Sequence, residues 1–391
     1  MRTNDHGSRL LRLSLGLFFL ATPIESIPVI ENFSIVKLAA IIVLAAWVLS
    51  GFPKIWNNSV KAFVPFLIYA ILSCLWSIDT ASSLNAVITF LIPSLFVAMV
   101  IGNSITSKKD IAMYLTFYIV GCAISSISSL LTRQTMLQIA EFADQERLTA
   151  FGQDQNTLAY LLIMGVVPLL HFINQTHQLI LKYLSITLVL LFSYVIVSTG
   201  SRTGVIVLVL IFLLFIFSVR KFNILLYTSV LAVFGIPILI QYIPESIIDR
   251  LMQTSDLVDE GDFSNRGVIW ASALQTFQEE NMIFGVGYSN FSTMLKQHLG
   301  WQIASHNTYL TYLIEFGIVG VWVFVYLLIK LLHIVRCIHK QEKSTFVYCY
   351  ILPLFVFMTT LETEYKRWVF ILYVLLCAWH KLNRVNELKK K

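Results

Sequence analysis

The sequence predicts an all-α polytopic membrane protein with about twelve transmembrane helices. Three observations lead there. The 391 residues are 57% hydrophobic and only 13% charged, against roughly 25% charged in a soluble domain, and the mean hydropathy is +0.76. Apolar runs long enough for a ~30 Å hydrocarbon core, at about 20 residues each, recur along the whole chain. Charge in the connections between them is biased by side.

In order, the runs cover residues 10–29, 34–51, 60–76, 85–101, 111–131, 156–173, 179–199, 201–218, 222–243, 307–336, 346–361 and 367–382. The stretch 179–218 is nearly unbroken apolar sequence. As one helix it would reach roughly 60 Å, too long for a single tilted span, so the chain must fold back. The interruption available is Ser198-Thr199-Gly200-Ser201-Arg202-Thr203-Gly204.

With the N-terminus placed in the cytoplasm, the cytoplasmic segments hold 19 of the 28 basic residues and 4 of the 22 acidic ones. The opposite side holds 9 basic and 18 acidic residues, so the two sides carry +15 and −9. This is the positive-inside pattern, and it puts both termini in the cytoplasm. The net +6 therefore reports topology, not a nucleic-acid partner. The first run lacks a small-residue cleavage site and reads as a retained span. Cys74, Cys122, Cys337, Cys349 and Cys377 lie in or beside spans or on the cytoplasmic side, so no disulfide framework is expected.

The chain divides into residues 1–243 with spans one to nine, a large outward loop at 244–306, and residues 307–391 with spans ten to twelve and a basic cytoplasmic tail. The loop is far longer than an ordinary connection and carries helix signals. Ser264-Asn265 can cap a helix running RGVIWASALQTFQEE, with Val268, Ala271, Leu274 and Phe277 on one face. Gly285-Val286-Gly287 ends it, and a second short helix follows around Ser289 to His298. Their weakly charged apolar faces suit the outer membrane surface or the bundle.

Several residues on the outward side can carry chemistry. Arg202 sits in a two-glycine turn at the membrane boundary. It is either an interfacial anchor or an anion site, where the guanidinium fork matches phosphate oxygens and the following helix adds N–H groups and a positive dipole end. Arg266 opens the loop helix, where a cation is unfavourable by roughly a few tenths of a kcal/mol, which hints at a use beyond solubility. Arg147 precedes span six in the same layer. Asn156 at the start of that span can bind a ligand, though capping accounts for it.

His306 stands at the N-terminal end of span ten. The helix dipole and nearby arginines disfavour imidazolium there, which leaves a neutral ring available as a base. As a lone interfacial histidine it would equally be a snorkelling residue. Ser305 or Asn307 can cap the helix or fix the ring. Glu315, about two and a half turns deeper, is an intramembrane carboxylate and so a functional candidate, with a structural hydrogen bond the simpler role. Gly317 and Gly320 most simply permit close helix packing. No Asp-x-Asp, His-Glu-x-x-His, Cys/His cluster or nucleotide-cradling loop occurs, so neither a metal nor a cofactor is expected. The acidic groups Asp256 to Asp262 and Glu362-Thr363-Glu364 read as solvated charge.

Four segments together, FGQDQN at 151–156, STGSRTG at 198–204, NRGVIW with FGVGYSNF across 265–291, and SHNTYLTYLIEFGIVG at 305–320, resemble the O-antigen ligase / polysaccharide polymerase superfamily. The last fits the ligase-type pattern of His-Asn, nine residues, then Gly317 and Gly320. The resemblance implies a GT-C-like fold and a metal-independent, inverting glycosyltransferase of the bacterial cytoplasmic membrane. Its implied donor is a glycan on undecaprenyl diphosphate, and its acceptor a hydroxyl of lipid A-core or of a growing polysaccharide. By the same resemblance Arg202, Arg266 and Arg147 would hold the diphosphate, His306 would be the base, and Asn307, Asn156 and Glu315 would support them. The competing class is a lipid-linked oligosaccharide flippase, which should carry charge deep in several helices; here the charge lies at the outer rim.

Overall fold

The structure, a computed structural model, describes residues 5–30, 33–53, 61–132, 147–218, 247–249, 266–300, 302–363 and 366–388. Helices dominate. Five are long and apolar enough to cross a membrane: Thr80–Ser104, Lys108–Leu131, Gln155–Gln175, Leu179–Ser198 and Thr308–Glu342. Shorter apolar helices occupy Ile35–Leu49, Lys61–Ser73, Arg202–Ser218 and Thr345–Phe357. Helical segments stand at eleven of the twelve predicted runs; the ninth, 222–243, lies outside the described residues. The chain forms two compact units, each assembled from three segments.

The first unit comprises Met1–Ser50, Lys109–Ser255 and Ser344–Val356. Helix α1 (Asp5–Ala21) stops short of the predicted run, because Pro23 opens a 3-10 turn at Thr22–Ile24 and supplies no N–H to continue the ladder. A two-stranded antiparallel hairpin, β1 (Pro28–Ile30) with β2 (Phe33–Ser34), then leads into α2 (Ile35–Leu49), which packs on α1. Helix α6 (Lys108–Thr132) meets the end of α1 closely, with Gly121 against the Leu20 carbonyl and the Pro23 ring; a side chain there would push the helices apart. Helix α7 (Gln155–Gln175) is the hub: 78% of its apolar window is buried, against 28% in its neighbour α8 (Leu179–Ser198). Helix α9 (Arg202–Ser218) packs on both.

The second unit comprises Gly51–Lys108, Asp256–Lys343 and Phe357–Lys391. It starts with α3 (Val64–Ser73). The run Thr80–Ser104 is then built as α4 (Thr80–Ala86), a π-helical turn at Val87–Leu91 and α5 (Ile92–Ser104). The π turn widens the ladder just before Pro93, which cannot donate a backbone bond. Asp79 caps α4 through Ser82 N–H at 3.0 Å, and that bond, with the Ser82 hydroxyl, holds its carboxyl below the ordinary range. There follow α10 (Arg266–Phe277), α11 (Phe291–Leu299) and α12 (Thr308–Glu342). The chain then returns to the first unit for a 3-10 segment at Thr345–Tyr350 and α13 (Leu352–Phe357), and α14 (Arg367–Leu388) completes the second. The predicted run 346–361 is thus two pieces, with Pro353 tolerated in the first turn of the second. At the far end of α12 the Glu342 carboxylate accepts from Lys108 Nζ at 2.8 Å, Trp379 Nε1 at 2.6 Å and Asn383 Nδ2 at 3.0 Å.

The loop helices differ from expectation in extent and in buried face. The expected cap, Ser264-Asn265, lies outside the described residues, and α10 ends at Phe277, before Glu279 and Glu280. Its buried face runs through Ile269, Trp270, Ala273 and Phe277, while Val268 and Leu274 are exposed. The reason is the partner: Ala273 and Phe277 join Val286, Phe291, Met294, Leu295, Leu310 and Ile314 in one apolar cluster. Helix α11 begins at Phe291, two residues later than expected, after left-handed Ser289.

Candidate functional site

The candidate residues fall into two groups, one in each unit. In the first unit the centre is the 198–204 turn. Gly200 takes a left-handed φ of 63° and reverses the chain between α8 and α9. Ser201, 1% exposed, donates its hydroxyl to Asn156 Oδ1 at 2.6 Å and accepts Gly204 N–H at 3.2 Å. Gly204 lets α9 approach α7, since a Cβ there would stand 2.9 Å from Ala159 Cβ. Arg202 is the first residue of α9 and half-buried.

Arg147 and the FGQDQN segment brace this turn. Arg147, only 4% exposed, donates Nε to the Thr199 carbonyl at 2.8 Å, and Leu148 N–H bonds the Ser198 carbonyl at 3.0 Å. Left-handed Phe151 and Gly152 turn the chain into α7. Gln153 is buried and donates to the Pro23 carbonyl at 3.0 Å. Asp154, not Asn156, caps α7, accepting Thr157 N–H at 2.9 Å. Asn156 is left to receive Ser201, so the amide expected to serve as a cap is a fastener between motifs.

In the second unit His306 is half-buried and has a left-handed φ of 49°. For a non-glycine residue that costs roughly 1–2 kcal/mol, so its surroundings must impose it. Both backbone groups of the preceding residue are claimed by side chains. Ser305 N–H donates to Glu362 Oε1 at 2.7 Å, and the Ser305 carbonyl accepts from Trp270 Nε1 at 2.9 Å. The Ser305 hydroxyl, 2.6 Å from Thr311 Oγ1, also accepts Asn307 N–H at 2.9 Å. Asn307 is the N-cap of α12, its side chain accepting Leu310 N–H at 3.2 Å. Trp270 lies one turn after Arg266, so the structure ties Arg266's helix to the residue before His306.

Glu315 is 1% exposed and accepts Phe291 N–H at 3.1 Å. Phe291 is the first residue of α11, whose N-cap, Asn290, makes no side-chain capping bond. The carboxylate thus caps α11 from another helix, at the end the dipole favours for a negative charge.

Gly317 is not a helix-packing position. Its φ of 63° and ψ of −169° break α12, and backbone groups on both sides of the break find partners outside the helix. Val286 N–H bonds the Ile314 carbonyl and Gly287 N–H the Glu315 carbonyl; Ile318 N–H bonds the Met282 carbonyl and Val319 N–H the Ile283 carbonyl. Tyr69 Oη donates to the Phe316 carbonyl at 2.8 Å. Any Cβ on Gly285 would meet the Glu315 carbonyl at 2.5 Å, and one on Gly317 would overlap the Ile283 carbonyl. FGVG and EFG are therefore two halves of one backbone joint.

Trp270, Tyr69 and Glu362 are the residues that sequence reasoning missed. Glu362, expected as solvated charge, holds Ser305. Trp270 had a readable signal, an indole one turn after Arg266 on a loop helix. Tyr69 and Glu362 had none, because their partners are distant in sequence. Among the described residues no three His, Cys, Asp or Glu side chains form a metal-holding group, and the five cysteines form no disulfide.

Comparison with known proteins adds one positive finding. No curated protein matches the chain. A family model described as O-antigen ligase matches residues 186–325, a region that contains Arg202, Arg266, His306 and Glu315. Over that region, which holds three of the four motifs described above, the chain is similar to the O-antigen ligase family.

Proposed function

We propose that this multi-pass membrane protein transfers a glycan from undecaprenyl diphosphate to a sugar hydroxyl on the outer face of the cytoplasmic membrane, as a metal-independent inverting glycosyltransferase of GT-C type with both termini cytoplasmic. The observation that carries the reading is His306: a strained, half-buried histidine at a helix N-terminus, inside the matched region and fastened to Arg266's helix. His306 accepts the proton of the acceptor hydroxyl as its oxygen bonds the anomeric carbon of the donor. The bond from that carbon to the diphosphate breaks on the opposite face, and the lipid diphosphate leaves. Arg202 and Arg266 stabilise its charge. Arg147 contributes by holding the Arg202 turn, and Asn156, Asn307 and Glu315 hold the elements that present these groups. The acceptor is lipid A-core or a growing polysaccharide chain.

The test uses purified full-length protein with lipid-diphosphate glycan and acceptor. His306→Ala should abolish transfer while inserting and eluting like wild type; wild-type turnover by that variant removes the base assignment. Arg202→Ala and Arg266→Ala should raise the donor KM. EDTA should leave turnover unchanged. Carrier translocation without glycan transfer would support the flippase reading instead.

A further inference from the structure

Residues 358–363, which follow α13, lie well beyond the region matched by the family model, yet they hold the chain on both sides of His306, at Ser305 and Thr308. On one side Glu362 Oε1 accepts Ser305 N–H at 2.7 Å. On the other, Thr308 N–H donates to the Met358 carbonyl at 2.8 Å, and its hydroxyl donates to the Leu361 carbonyl at 2.6 Å. Thr363 N–H returns a bond to that hydroxyl at 2.8 Å. Ser305 and Thr308 are each buried to within 1%, so water does not compete for these groups.

We propose that Glu362 is a positioning residue for the transfer reaction: it fixes Ser305 and so imposes the left-handed turn at His306 that aligns the imidazole with the acceptor hydroxyl. This rests on the reading of His306 as the base. A carboxylate accepting a backbone N–H makes one of the stronger hydrogen bonds a protein offers, and a strained conformation needs such a partner to persist. The bond goes to the main chain, so what Glu362 supplies is an acceptor at a fixed reach. Reach and charge can be separated by substitution. Glu362→Gln keeps the reach and an acceptor oxygen but loses the charge. Glu362→Asp keeps the charge but draws the acceptor back by about 1.5 Å.

The experiment measures steady-state transfer by the full chain, in detergent or proteoliposomes, for Glu362→Asp, Glu362→Gln, His306→Ala and Glu362→Asp/His306→Ala. Displacement of a general base by an ångström can cost about a hundredfold in rate. Glu362→Asp should therefore lower kcat about tenfold or more, with donor KM within about twofold of wild type. Glu362→Gln should recover most of that loss. The double variant should be no less active than His306→Ala, because the effect acts through that residue. Glu362→Gln falling as far as Glu362→Asp, or Glu362→Asp turning over like wild type, overturns the proposal. If Glu362→Asp does not fold, Glu362→Gln decides alone: near-wild-type kcat upholds the acceptor role and a tenfold loss overturns it. Wild-type turnover by His306→Ala is a different result, and it removes the base assignment itself.

Discussion

The arginine turn of the first unit and the histidine turn of the second solve the same problem by different means. Each places a candidate side chain at the start of an apolar helix. Around Arg202 the candidate residue itself carries no left-handed strain: the reversal falls on Gly200, α7 is capped by Asp154, and hydroxyl and amide side chains fasten one motif to the next. Around His306 the strain falls on the candidate residue itself, and side chains from Trp270 and Glu362 clamp its neighbour. The first device spreads its hold over several bonds. The second concentrates its effect in one dihedral angle, which suits the base role proposed for His306.

Substitutions can break this comparison, beginning with the largest effect. His306→Ala should cost about 10²–10⁴-fold in kcat, measured by single-turnover transfer, with little change in thermal stability. Gly317→Ala should be the most destabilising change near either site, by about 2–5 kcal/mol. It forces a side chain into a left-handed residue and against the Ile283 carbonyl. The corresponding Gly200→Ala in the first unit should cost only about 1–2 kcal/mol, and equal losses in thermal unfolding of the two variants would erase the contrast. Arg147→Ala strands the buried Thr199 carbonyl and should cost about 1–3 kcal/mol, with a rise in donor KM because the Arg202 turn loosens. The smallest effect is expected at Asp154, where Asp154→Ala removes one cap for about 1 kcal/mol and leaves kcat unchanged.

Much of this was legible in the sequence, and the failures have physical causes. Runs of about twenty apolar residues specify helices almost regardless of neighbours, and helical segments stand at every predicted run that falls among the described residues. The cap at Asn307 was equally local. The break at Gly317 was not legible, because a glycine three residues from another in an apolar helix has the composition of a packing face. Only the arrival of residues 281–287 makes the break affordable. The inward face of α10 was set by the cluster it joins, and its own periodicity allowed another choice. Glu362 looked like surface charge, since nothing near it in sequence shows that Ser305 N–H lies within reach.

The joint at Gly317 also bears on how the protein is made. Residues 308–319 cannot settle in hydrocarbon as a finished helix, because the carbonyls of Ile314 and Glu315 and the N–H groups of Ile318 and Val319 are matched by a segment synthesised earlier. Each such group left bare in lipid costs several kcal/mol. Residues 281–287 must therefore wait at the membrane while the next thirty residues emerge, and the upper part of α12 enters together with them. A ribosome-stalled chain ending near residue 300 would leave the Met282 and Ile283 carbonyls without the Ile318 and Val319 N–H groups that meet them in the finished fold.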